Sequence, residues 1–116
     1  MFLSQTSYLR HILDEVDYLL RYVATISFEA FLVDETQKRA AVRAFEIIGE
    51  ATKNLSDDLR LRHPEVAWRR MAGMRDVLTH KYFNVDYMVV WKTSCDDLPT
   101  LRTQIEQVIE AEVAHE

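Results

Sequence analysis

The sequence predicts an all-α chain of helices joined by short connections. Two observations carry that expectation. Only two glycines and two prolines punctuate 116 residues, too few turn-formers for a many-stranded sandwich or barrel. Apolar residues recur at three- and four-residue spacing through most of the chain, the period of a helix with one buried face. No internal repeat, low-complexity tract or long linker interrupts the pattern, so one domain spanning 1–116 is expected.

The elements follow in order. Tyr8, Leu9, Ile12, Leu13, Val16, Leu19, Leu20 and Val23 alternate with Arg10, Asp14, Glu15 and Asp17, which predicts an amphipathic helix over residues 5–23. Ser27 can cap a short turn carrying Phe28, Phe31 and Leu32. Asp34 can cap a long helix whose stripe is Ala41, Phe45, Ile48, Ala51 or Thr52, and Leu55. Ser56 precedes Asp57 and Asp58, a cap followed by acids at the positive end of a helix dipole, and Pro64 stops that helix. A third main helix is expected from Trp68 or Gly73 to Phe83, with Gly73 as a break near its start and Asn84 as its end. Asp86 caps a helix with Tyr87, Val90 and Trp91 inside. Pro99 kinks that helix or begins another, along which Leu101, Ile105, Val108 and Ile109 stay buried. Phe45, Ile48, Tyr18 and Trp91 read as core or subunit interface, as do Trp68 and Met71 unless they shape a pocket. Such thin helical layers leave an apolar face that self-association would cover.

Composition narrows the function. Cys95 is the sole cysteine, so no intrachain disulfide forms and a reducing compartment fits. The amino terminus lacks the basic flank and apolar core of a signal peptide, and no apolar run approaches the ~20 residues of a membrane span. A cytoplasmic protein is expected, with no membrane partner. The net charge of −5 argues against indiscriminate binding of nucleic acid. From Arg60 to Lys81, however, six Lys/Arg face two acids, a local balance of +4. Two readings stand: arginines solvated on a loop, or a local anion site.

Familiar catalytic signatures are missing: no Gly-rich phosphate loop, no His-Glu-x-x-His, no Cys-x-x-Cys, no Gly-x-Ser-x-Gly. Acids following Cys95 would raise its thiol pKa, which counts against a nucleophile. His11, His63 and His115 stand alone and read as surface or satisfied histidines. The exception is the segment RDVLTHKYF, where Arg75, Asp76, His80 and Tyr82 crowd together. On a continuous helix Arg75 and Tyr82 would lie within about 20° of one another, and Asp76 and His80 would be neighbours at i and i+4. Arg75 and His80 would then diverge by about 140°, so that a shared cleft would need two chains. The alternative is a helix with surface charges and a half-buried histidine.

Arg75-Asp76-x3-His80-x-Tyr82 resembles the Arg-polar-x-His-x-Tyr pattern of HEPN ribonucleases, with four residues between Arg and His. The stretches YLRHIL, AFEIIGEATKNLS, HPEVAWRRMAGMRDVLTHKYFNVD and VVWKTSCDDLPTL are similar to the HepT branch of that family, in the same order and over nearly the whole chain. Asp76 falls where the family accepts Asn, Asp or His. The resemblance implies a HEPN-type up-and-down bundle of four to five helices, dimeric. It implies a toxin that cleaves RNA without a metal or cofactor, in a cleft at the dimer interface. It also implies a partner, an MntA-type nucleotidyltransferase antitoxin that uses ATP to place AMP on the motif tyrosine, here Tyr82.

The chemistry suits these residue types. Histidine titrates near neutral pH and can move a proton to or from a ribose oxygen. The arginine fork can stabilise charge building on phosphoryl oxygens. His80 is therefore expected in proton transfer, Arg75 on the phosphate and Asp76 in orienting His80, with Arg69, Arg70 and Lys81 as further RNA contacts. AMP on Tyr82 would add bulk and negative charge beside Arg75. The acidic chain points to a narrow substrate such as transfer RNA. Two other readings compete: a non-catalytic subunit that presents a substrate or nucleotide to a nucleotidyltransferase, and a helical scaffold without chemistry.

Overall fold

Side-chain caps fix most helix starts. Ser4 accepts a hydrogen bond from the Ser7 amide at the start of α1 (Gln5–Val23), and Ser27 does the same for Ala30 at α2 (Phe28–Leu32). Asp34 caps α3 (Glu35–Lys53) through the Gln37 amide, and Ser56 caps α4 (Asp57–Arg62) through Leu59. Each bond satisfies an amide that the first turn leaves without an intrahelical partner. Two short helices follow, α5 (Trp68–Ala72) and α6 (Met74–Val77), then a two-stranded antiparallel ribbon of β1 (Thr79–Lys81) and β2 (Asn84–Val85). Asp86 accepts from the Met88 and Val89 amides to start α7 (Tyr87–Asp96), and α8 (Leu98–Ala114) is the last helix described. The computed structural model describes residues 4–77, 79–81 and 84–114, with side chains over 4–76 and 85–114.

Helix α1 packs between α3 and α8, and α7 lies against both α1 and α8. The expected stripes are the core: Leu9, Ile12, Val16 and Leu19 of α1, Ala41, Phe45 and Ile48 of α3, and Leu101, Ile105 and Val108 of α8 are all buried. Each large apolar side chain there contributes ~1.5–3 kcal/mol through removal from water. Trp68 and Met71 join this cluster, while Tyr18 and Trp91 pack on its edge. Buried Thr52 and Ser94 satisfy their hydroxyls by donating to carbonyls one turn back, Ile48 O and Val90 O. Pro99 stands in the first turn of α8, where a missing N–H costs no helical bond. It begins a new helix rather than kinking an old one. Among the described residues no helix is long and apolar enough to cross a membrane.

The third main helix is where the chain departs from expectation. It does not run from Trp68 to Phe83. Gly73 separates α5 from α6, and the backbone is extended by Thr79. Thr79 pairs with Val85, and Lys81 with Asn84, across an irregular register. The composition favours this: Thr, His, Tyr, Phe, Asn and Val from 79 to 85 are weak helix formers, and several are good strand residues.

Candidate active site

Where α3 passes the turn between α5 and α6, no side chain intervenes. A Cβ at Gly49 would stand 3.3 Å from Ala72 O, 3.6 Å from Met71 O and 4.0 Å from Arg75 N. Glycine permits that approach of backbone to helix. Met71 and Met74 are buried on either side and pin the turn into the core. The single turn of α6 then presents Arg75 and Asp76 outward, both exposed. The Arg75 side chain meets Glu46 of α3, with Nε 3.9 Å from Oε2. That is a loose charge pair and not a hydrogen bond.

His80 and Lys81 belong to β1, not to a helix. The helical arithmetic for this segment therefore does not apply. Asp76 and His80 are not i, i+4 neighbours on one helix, and the 140° divergence of Arg75 from His80 no longer argues for a two-chain cleft. The side chains of His80 and Lys81, and Tyr82 altogether, lie outside what is described. The structure thus places Arg75 and Asp76 together on one exposed turn, with the His80 backbone next in the ribbon.

The +4 stretch is partly spent on structure. Arg60 donates to Thr52 O at the end of α3 at 2.8 Å. Arg62 donates from Nε to Oε2 and from Nη2 to Oε1 of Glu112 on α8, and His63 Nε2 is 2.8 Å from the same Oε2. Glu112 is 7% exposed. The Arg62 and His63 bonds hold its carboxyl down to about 2, against the opposing effect of burial. His63 is thus a satisfied histidine, one of the two readings its isolated place in the sequence allowed. Arg70 pairs with Asp97 at 3.0 Å, both groups exposed. Arg69 is exposed and has no ion-pair partner among the described residues. An open groove between α4 and α5 carries Arg69 and Arg70 beside Leu61, Pro64 and Trp68.

Cys95 is exposed, and its thiol is pushed up first by partial burial and then by Asp96. A low-pKa nucleophile is not found there.

Comparison with known proteins decides the family. Residues 12–108 match the family described as "Ribonuclease HepT-like". The chain belongs to the HepT-like ribonuclease family. A protein of Caldanaerobacter subterraneus subsp. tengcongensis named "Putative RNase" is 46% identical over 90% of this chain and 94% of its own. "Probable ribonuclease HepT" of Thermococcus cleftensis is 44% identical over 90% of this chain and 96% of its own. A Methanocaldococcus jannaschii protein, again named as an RNase, is 36% identical over 89% of this chain and 85% of its own. No solved structure matches the chain. The expected HepT-branch ribonuclease and its all-α fold are therefore borne out.

Two acids escaped the sequence reading of this ribonuclease fold. Glu46 sits on the polar edge of α3, and Glu112 near the end of α8, each looking like any solvated helical glutamate. Their partners lie far along the chain, 50 residues away for Arg62 and Glu112. No local pattern announces such pairs.

Proposed function

We propose that this HepT-like ribonuclease is the toxin of a two-protein system, a metal-independent endoribonuclease switched off by AMP on Tyr82. The observation that carries the reading is Arg75. Its side chain is 64% exposed on a single turn locked against α3, and the motif histidine follows five residues later in the ribbon. A cation so placed can meet a phosphate without first leaving a buried pair.

In cleavage the ribose 2′-oxygen attacks phosphorus and the bond to the 5′-oxygen breaks, leaving a 2′,3′-cyclic phosphate and a free 5′-hydroxyl. His80 moves a proton at one of those oxygens, and Arg75 takes the charge that builds on the phosphoryl oxygens. Asp76 orients His80, a role that now rests on its place in the motif rather than on helical spacing. Arg69, Arg70 and Lys81 extend the contact along the RNA backbone, with Arg70 exchanging its exposed Asp97 partner for a phosphate. A positive path this short suits a narrow substrate such as transfer RNA. The working unit is a homodimer in the cytoplasm, and the motif likeness supports that assembly.

Control comes from an MntA-type nucleotidyltransferase. The Tyr82 hydroxyl attacks the α-phosphorus of ATP, pyrophosphate leaves and the phenolic proton is released. The new phosphodiester competes with RNA for Arg75 and blocks the approach. Purified, unmodified protein should cleave RNA, and His80→Ala should lose at least ~100-fold of that activity. Intact mass after co-production with the neighbouring nucleotidyltransferase should rise by whole AMP units, and Tyr82→Phe should abolish the increment. Undiminished cleavage by His80→Ala would remove the nuclease mechanism, and full labelling of Tyr82→Phe would move the modification elsewhere.

A further inference from the structure

We infer that Glu46 is a positioning residue for Arg75, holding the Nε edge of the guanidinium and leaving its terminal nitrogens for a phosphate. The inference deepens the proposed nuclease reading and rests on it.

The placement is built from α3. Glu46 and Gly49 are three residues apart and therefore share one side of that helix. Gly49 sets how near the α5–α6 turn can come, and the Arg75 amide itself lies within 4.0 Å of the position its Cβ would take. With the Arg75 backbone fixed there, the carboxylate one turn earlier on α3 falls opposite the arginine side chain. Glu46 is 30% exposed against 64% for Arg75. Arg75 is the cation it meets among the described residues.

A pair this exposed does little for stability. Its consequence is orientational. A free arginine samples many rotamers, and holding one edge before RNA arrives reduces the freedom lost when the phosphate is bound and the transition state forms. The carboxylate also repels the phosphate. Removing it should therefore leave RNA binding as good or better while slowing the chemical step. That division separates positioning from generic surface charge.

The test uses the full-length unmodified protein and a short RNA that it cleaves. Glu46→Ala should lower kcat ~10-fold with KM unchanged or reduced. Glu46→Asp keeps the negative charge that faces Nε and should restore kcat to within ~3-fold of wild type. The pH profile should keep its acidic limb in both variants. An unchanged kcat in Glu46→Ala overturns the inference. So does loss of the acidic limb in Glu46→Ala, which would make Glu46 a proton-transfer group.

A second measurement does not depend on cleavage. The Arg75 Nε–H resonance, assigned by its loss in Arg75→Lys, should exchange with water faster in Glu46→Ala than in wild type. Equal exchange rates overturn the positioning role. If wild type cleaves no RNA and the exchange difference is present, the nuclease reading fails while the restraint on Arg75 stands.

Discussion

The bundle of α1, α3 and α8 and the segment from Gly73 to Asp86 are built by different rules. In the bundle, buried stripes recur turn after turn, and side-chain caps mark the entries to α1 and α3. From Gly73 onward there is one helical turn, a two-residue strand paired with a three-residue one, and a cap at Asp86. The first region holds its shape through its own burial. The second takes its shape from where it is attached: Met71 and Met74 in the core, Gly49 against the turn, Asp86 starting α7. Chemistry set on a short irregular segment that a rigid bundle supports is a common division of labour.

That contrast predicts a large separation in mutational cost. Phe45 is fully buried at the centre of α3, and Phe45→Ala should lose ~3–5 kcal/mol, the transfer term plus the cavity left behind. Arg75→Ala removes one exposed side chain with a loose partner and should change stability by less than ~0.5 kcal/mol while abolishing RNA cleavage. Urea unfolding followed by far-UV circular dichroism measures both. A large loss of stability in Arg75→Ala would mean that the motif segment helps to hold the bundle, and the division would collapse.

A smaller effect sharpens the picture at the far end of α8. Glu112 is ionised to about pH 2 in the folded protein, below its ordinary 4.5, because Arg62 and His63 bond its carboxylate. A lowered folded pKa stabilises fully above the unfolded value and fades as pH falls through the folded one. The contribution is thus complete above about pH 4.5 and declines toward pH 2. Glu112→Gln should cost on the order of 2 kcal/mol at pH 7. The gap between variant and wild type should narrow as the pH falls from 4.5 to 3. A gap that stays constant with pH would show that the carboxylate's charge does not fasten α4 to α8.

The bundle was legible because its signals are local. Ser27, Asp34, Ser56 and Asp86 cap the helices that their side chains announce, and the apolar stripes at Leu9 to Leu19 and Phe45 to Leu55 repeat long enough to be read. The motif stood out as a polar cluster, since Arg75, Asp76, His80 and Tyr82 stand within eight positions. Its conformation was not legible. A helix was expected through Phe83, and the placement of Arg75, Asp76, His80 and Tyr82 was worked out on it. Gly73 and the weak helix formers from Thr79 onward favour the observed backbone instead. Glu46 and Glu112 were invisible for a different reason. A carboxylate's partner across the fold leaves no periodicity in the sequence.

The finest test of the attachment is one methyl group. Gly49→Ala adds a side chain to α3 that intrinsic propensity favours by ~0.5–1 kcal/mol. The new Cβ would stand 3.3 Å from Ala72 O, with Met71 O at 3.6 Å and Arg75 N at 4.0 Å. These neighbours are backbone atoms of a turn pinned by buried methionines, so they yield only by moving the turn. We expect the contact to cancel the propensity gain and leave a net loss of up to about 1 kcal/mol. The amide resonances of Met71 to Arg75 should shift, and RNA cleavage should fall several-fold as Arg75 moves away from Glu46. Ile48→Val, buried next door on the same helix, should cost a similar ~0.5–1.5 kcal/mol without moving the turn. If Gly49→Ala instead stabilised the protein by its full propensity and left those resonances in place, the turn would be free to drift. The position of Arg75 would then be set by something other than α3.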